Sequence, residues 1–218
     1  GSLGDVNPIN LAEPQLPGLL LNSLSVFDAT GKTMSVASGR ISYCLGLTGP
    51  SSTVDTACSS SLVALHNAKR SLQNRECDVA IVASVGILTL TSTVACAIAE
   101  MTSPDGKCHS FDDSAAGYGR GEGCAGIVLE RIDSEPKEVY AVVKGSAVAQ
   151  DGRSASLTAP NGLAQEKLLR HALKDAGLSS RDIDFIEAHG TGTKLGDPIE
   201  ANALAKVFCA DRSGIEPL

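Results

Sequence analysis

The chain has 218 residues, of which 43% are hydrophobic, 20% charged and 3% aromatic, with no tryptophan. At this length it makes one large domain or two small ones, and it buries about 70% of its unfolded surface, enough for a core without disulfide or metal staples. The apolar content excludes disorder, and 18 basic against 25 acidic residues, with no Lys/Arg cluster and few aromatics to stack bases, exclude a nucleic-acid binder.

In chain order, residues 1–32 are rich in Pro, Gly and Asn and read as irregular, and the acids Asp5 and Glu13 exclude a signal peptide. Ser38 to Leu47 reads as a helix with Ile41 and Leu45 inward, closed by Gly49–Pro50. Ser52 to Ala57 reads as a short strand. Ser59 to Leu72 repeats apolar residues at Leu62, Leu65, Ala68 and Leu72, an amphipathic helix. Asp78 to Gly86 is an apolar strand of the kind covered on both faces. The uncharged stretch from Val79 to Ala99 contains Gly86, Thr89, Thr91, Ser92 and Thr93, so it reads as strand, loop and helix start and not as a membrane span.

Cys124 to Ile132 and Val139 to Val148 follow as strands around a Ser-Glu-Pro-Lys turn. Leu163 to Ala176 is a helix stopped by Gly177. Ile183 to Ala188 is a strand, and Asp197 to Phe208 a helix with Asp197 as N-cap, Pro198 first inside and Glu200 as capping-box acid. The alternation predicts a layered α/β fold. Two places share a plan of strand, chemically active residue and small-residue turn, which predicts two halves, 1–135 and 136–218.

Cys44, Cys58, Cys77, Cys96, Cys108, Cys124 and Cys209 form no C-x-x-C pair. Most therefore read as small buried hydrophobes of a reducing compartment, leaving room for one to react. Cys58, in Val54-Asp-Thr-Ala-Cys-Ser-Ser-Ser-Leu62, falls between a strand end and a helix start. Backbone N–H groups and the helix dipole there favour a thiolate and can hold an oxyanion, with Ser59, Ser60 and Ser61 small enough to admit a substrate. A buried structural cysteine is the competing reading. His189, in Glu187-Ala-His-Gly-Thr-Gly-Thr193, is delivered by a strand into a glycine turn with two hydroxyls beside it, where open α/β folds carry their sites. His66, His109 and His171 read as background. Gly121-Glu-Gly-Cys-Ala-Gly126 precedes a strand instead of opening a helix, so it is no dinucleotide fingerprint.

Taken together, Ser38-Gly-Arg-Ile-Ser-Tyr43, Gly46-Leu-Thr-Gly-Pro50, the Cys58 segment, Ser103-Pro-Asp-Gly106, Gly121-Glu-Gly123, Gln150-Asp-Gly-Arg-Ser154, Leu157-Thr-Ala-Pro-Asn-Gly162 and the His189 segment resemble the β-ketoacyl synthase family. Their order is similar to ketosynthase domains of polyketide synthases, with animal-type fatty acid synthase close behind. The resemblance implies a thiolase-like fold, layered α/β/α/β/α with two duplicated halves, and a homodimer. It implies that Cys58 accepts an acyl group from a phosphopantetheine thioester on an acyl carrier protein. It further implies that His189 is the first of two histidines promoting decarboxylation of a malonyl-type extender, whose carbanion attacks the acyl group. Thr158, Thr191 and Thr193 resemble hydroxyls along the pantetheine channel, and Glu200 resembles an acid supporting the histidine network.

No metal, bound cofactor, nucleic acid or membrane span is implied, and a cytoplasmic location is expected. The family's Lys-x-Asn-x-Gly-His segment, its glycine-rich oxyanion loop and its opening strand and helix are not found in these residues. A central fragment is therefore expected, inactive alone and with apolar faces exposed. The alternatives are a thiolase acting on coenzyme A thioesters, a truncated scaffold without activity, and a cysteine hydrolase.

Overall fold

The computed structural model describes residues 25, 27–31, 33–134, 138–210 and 212. Of the stretch 1–32 expected to be irregular, residues 1–24, 26 and 32 lie outside them and Asp28–Gly31 instead forms a helical turn; most of the turn at 134–137 also lies outside them. The chain divides into two compact units, Gly1–Thr53 and Val54–Leu218.

In the first unit, a single helical turn α1 (Asp28–Gly31) precedes helix α2 (Met34–Leu45). Helix α2 starts four residues before the expected Ser38 and stops before Gly49–Pro50. Gly46 ends it first, at φ 67°, returning its N–H to the Ser42 carbonyl. Thr53 ties the following segment back to the helix, its hydroxyl accepting from the Ser38 N–H at 3.2 Å. Ile41 and Leu45, expected inward, are 40% and 59% exposed.

The second unit begins with a 3-10 turn, Ala57–Ser59, running into helix α3 (Ser60–Gln73). Then come strand β1 (Val79–Gly86), helix α4 (Leu90–Ile98) and strand β2 (Gly123–Glu130). The two strands form an antiparallel ladder from Val79 opposite Glu130 to Gly86 opposite Gly123. Helix α3 packs on β1, where Leu72 and Val82 are buried. The expectation that β1 is covered on both faces is not met. Ala80, Val82 and Ser84 are covered to varying degree, whereas Val79, Ile81 and Val85 are exposed, the period-two signature of a sheet covered on one face. The stretch from Val79 to Ala99 resolves as strand, loop and helix, and among the described residues no helix is long and apolar enough to cross a membrane.

Helices α5 (Gly162–Ala176) and α6 (Gly196–Leu204) pack together, and a π-helical turn, Ala205–Cys209, continues α6. Ala203, Val207 and Phe208 are the buried apolar residues here. The ends of α5 follow the sequence reading. The Asn161 side chain accepts the Leu163 and Ala164 N–H groups, and Gly177 closes the helix at φ 67°. The strands expected at 52–57, 139–148 and 183–188 do not form as ladders among the described residues. Their β-branched and aromatic residues favour extended backbone, but a strand is completed by a pairing neighbour, and Val139, Tyr140 and Phe185 stay exposed.

One ion cluster joins α3 to α5. Lys69, 8% exposed, meets Asp175, which also accepts from Arg70 at 2.7 Å and from the Ser146 N–H at 2.9 Å. These donors, Lys69 foremost, hold the Asp175 carboxyl well below the usual carboxylate range. A carboxyl so depressed adds stability above its unfolded value of about 3.9 and loses it as pH falls toward the folded value. Urea midpoints between pH 5 and pH 2 should therefore drop more steeply for the wild type than for Asp175→Asn. Parallel curves would contradict this.

Candidate active site

Cys58 is exposed and lies in the 3-10 turn that leads directly into α3. Among the described residues no strand precedes it; the turn itself supplies the approach. Ala57 sits at φ 56°, a left-handed conformation costing a non-glycine residue about 1–2 kcal/mol. Local hydrogen bonds hold it there. The Ala57 N–H donates to Asp55 at 3.1 Å, the Ser60 hydroxyl donates to the Ala57 carbonyl at 2.7 Å, and the Thr56 N–H donates to the Ser60 hydroxyl at 2.9 Å. The Thr56 and Ser59 hydroxyls pair at 2.8 Å. Ser59 and Ser60 thus brace the turn, beyond leaving space beside the thiol. Strain is thus retained next to an exposed thiol, just ahead of a 14-residue helix, which makes Cys58 a candidate functional position.

The His189 turn is built on two carboxylates of α6. Glu200 accepts the His189 N–H at 2.6 Å with one oxygen and the Gly190 N–H at 2.8 Å with the other. It therefore orients the backbone that carries the imidazole. Asp197, 3% exposed, accepts from the N–H groups of Gly192 at 3.0 Å, Thr193 at 3.3 Å and Phe111 at 2.7 Å. The expected capping box is not formed. Helix α6 begins at Gly196, so Asp197 lies inside the first turn and its carboxylate points back to the glycine turn. The Thr193 hydroxyl accepts the Gly196 N–H at 3.2 Å instead, and pairs with the Thr191 hydroxyl at 3.0 Å. Asp197 also sits in the first turn of α6, at its positive end, where negative charge is favoured.

The loop around Cys108–Gly117 closes over this turn. Ser110 donates to the Gly190 carbonyl, and the Gly117 N–H donates to the Gly192 carbonyl at 2.9 Å. Gly190 and Gly192 stand at φ 51° and 72°. At Gly192 a Cβ would overlap the Cys108 carbonyl, so no other residue fits. A cleft of about 300 Å³ adjoins, lined by Phe111, Asp112, Lys194, Asp197 and Pro198 among others.

The structure therefore gathers His189, Thr191, Thr193 and Glu200 on one turn and helix. Among the described residues no hydrogen bond joins Cys58 or Thr158 to them, and Thr158 is exposed ahead of α5. Next to Gly117, burial and then the Cys96 sulfur 3.8 Å away push the Tyr118 phenol up. The sequence reading missed Asp197 as a turn-holder, Tyr118, and Lys69 with Asp175.

Comparison with known proteins adds to this geometry. The pattern of the β-ketoacyl synthase N-terminal domain matches residues 15–135, and that of the C-terminal domain matches residues 140–217. A phenolphthiocerol/phthiocerol polyketide synthase of Mycobacterium tuberculosis is 50% identical over 199 residues, covering 89% of this chain and 9% of that protein. Erythronolide synthase EryA3 of Saccharopolyspora erythraea is 48% identical over 197 residues, covering 87% and 6%. The ketosynthase from module 6 of the bacillaene synthase of Bacillus subtilis 168 superposes with a TM-score of 0.80 at 41% identity, covering 84% of this chain and 33% of that structure. The chain thus spans a third of the solved ketosynthase and less than a tenth of these two synthases. The likeness also supplies the thiolase-like α/β fold class that the motifs implied. With the N- and C-terminal patterns matched in order along it, the chain belongs to the β-ketoacyl synthase family.

Proposed function

We propose that these residues contribute Cys58 as nucleophile, with His189, to acyl transfer and decarboxylative Claisen condensation in polyketide assembly. The observation that carries the reading is the exposed Cys58 thiol behind the strained Ala57, at the start of α3. The thiolate attacks the carbonyl of an acyl thioester on a carrier protein's phosphopantetheine arm; the new C–S bond forms, the carrier's C–S bond breaks, and the carrier leaves as a thiolate. A malonyl-type extender then loses carbon dioxide, and the electron pair of the broken C–C bond passes onto its thioester oxygen as an enolate. His189 donates a hydrogen bond to that oxygen. The enolate carbon attacks the acyl carbonyl on Cys58, a C–C bond forms, and the cysteine leaves as thiolate. The hydroxyls of Thr158, Thr191 and Thr193 bind the pantetheine arm, while Glu200 fixes the angle at which His189 meets the extender.

Polyketide chemistry is preferred to fatty acid synthesis and to thiolase chemistry because the relatives at about 50% identity are polyketide synthases. The proposal includes an acyl carrier protein as partner and acyl and malonyl thioesters as substrates. It also includes a homodimer in the cytoplasm, to which seven free cysteines are suited. It divides the chain into halves at residue 135, next to the junction of the two matched patterns.

In the full-length polypeptide carrying this chain, His189→Ala should still form the acyl thioester while decarboxylation of the malonyl thioester falls by about 10²–10³-fold. Unchanged decarboxylation would remove His189 from the mechanism.

A further inference from the structure

Among the described residues two charged side chains are buried, Asp197 and Lys69, and only Asp197 belongs to the histidine turn. A buried ion pair is weak evidence for stability, since apolar replacements of similar volume often hold a fold as well. We infer that the Lys69–Asp175 clamp is a positioning device, setting the Cys58 helix against the helices that support the His189 turn. The inference rests on the roles proposed above for those two residues.

Three segments converge on one carboxylate: Lys69 and Arg70 of α3, Asp175 of α5 itself, and the Ser146 N–H. A second bond joins two of these segments, His66 Nδ1 of α3 to the Ser146 hydroxyl at 2.9 Å. Gly145 is seated against α5, where a Cβ would stand 2.6 Å from the Ala176 nitrogen. Helix α5 in turn packs on α6, which supplies Glu200 and Asp197 to the His189 turn. From Lys69 back to Cys58 the chain runs mostly as helix, a stiff lever of about 16 Å at 1.5 Å per residue. A shift at the clamp is therefore transmitted to the thiol. Acyl loading needs the thiol and its own turn, whereas condensation needs the thiol and His189 in register, and displacements near 1 Å cost condensation heavily.

The test compares the two half-reactions in the full-length polypeptide, using an acyl-N-acetylcysteamine thioester for loading and a malonyl-carrier for condensation. Lys69→Met keeps the buried stem and removes the charge. Loading should stay within about twofold while condensation falls about tenfold, and Lys69→Arg should recover most of the loss. Arg70→Met, at a side chain 42% exposed, should give a smaller split in the same direction and serves if Lys69→Met does not fold. Loading and condensation falling by one common factor, or neither falling, overturns the clamp. Absence of loading in the wild type overturns the role of Cys58 itself, and this inference with it.

Discussion

Replacing Gly192 by alanine should unfold the His189 turn and destabilise the second unit by more than about 4 kcal/mol, a large share of a domain's usual 5–15 kcal/mol. Two costs combine. At φ 72° an alanine pays about 1–2 kcal/mol for the left-handed conformation, and its Cβ overlaps the Cys108 carbonyl, a backbone atom that cannot rotate away. The Gly192 backbone also joins Asp197 to the loop at Gly117, so any shift at residue 192 strips hydrogen bonds from both sides. Gly190→Ala provides the contrast. Its φ of 51° carries the same backbone cost, but the nearest atom is the Phe111 ring at 3.3 Å, a side chain able to give by a few tenths of an ångström. Urea unfolding should rank wild type, Gly190→Ala and Gly192→Ala in that order. Equal midpoints for the two variants would show that the close approach to Cys108 is not rigid.

Cys58→Ala should have the opposite profile, abolishing function without touching the fold. Condensation should fall by about 10³-fold or more, as expected when a covalent nucleophile is removed. The exposed position limits the change in stability to about 0.5 kcal/mol. The cysteines expected to be buried are half-buried at Cys77, Cys96 and Cys108 and exposed at Cys44, Cys124 and Cys209, but none of these three exposed thiols lies at the start of a helix behind a strained residue. Their alanine variants should retain activity, which separates the special position of Cys58 from simple accessibility. Full activity in Cys58→Ala would leave acyl transfer without a nucleophile.

What could be read in the sequence was local. Leu62, Leu65, Ala68 and Leu72 mark α3 by their spacing, Gly177 marks the end of α5, and the apolar run from Val79 marks β1. The positions of Cys58 before a helix and His189 in a glycine turn were legible for the same reason. What escaped depends on partners distant in the chain. Val139 to Val148 has the composition of a strand, but a ladder needs a neighbour that composition does not name. Asp197 looks like a cap because Pro198 follows it; its actual partners include Phe111, far back in the sequence. Lys69 had a visible signal, a lysine four residues after Leu65 and three before Leu72 on the apolar stripe, which called for a buried acid. Nothing local identified that acid as Asp175. The exposed faces of β1 and α4, including Val85, Leu90 and Ile98 at 71%, 82% and 78%, agree with the apolar exposure expected from the motifs.

Cys58 as the acyl acceptor is the central claim, and peptide mapping tests it most directly. The full-length polypeptide is incubated with an acyl thioester, digested, and analysed by mass spectrometry for the acyl increment. The increment is expected on the peptide containing Cys58 in the wild type, and it should be lost in Cys58→Ala. An acyl group found on a peptide bearing Cys96, Cys108 or another cysteine, with the Cys58 peptide unmodified, would contradict the claim.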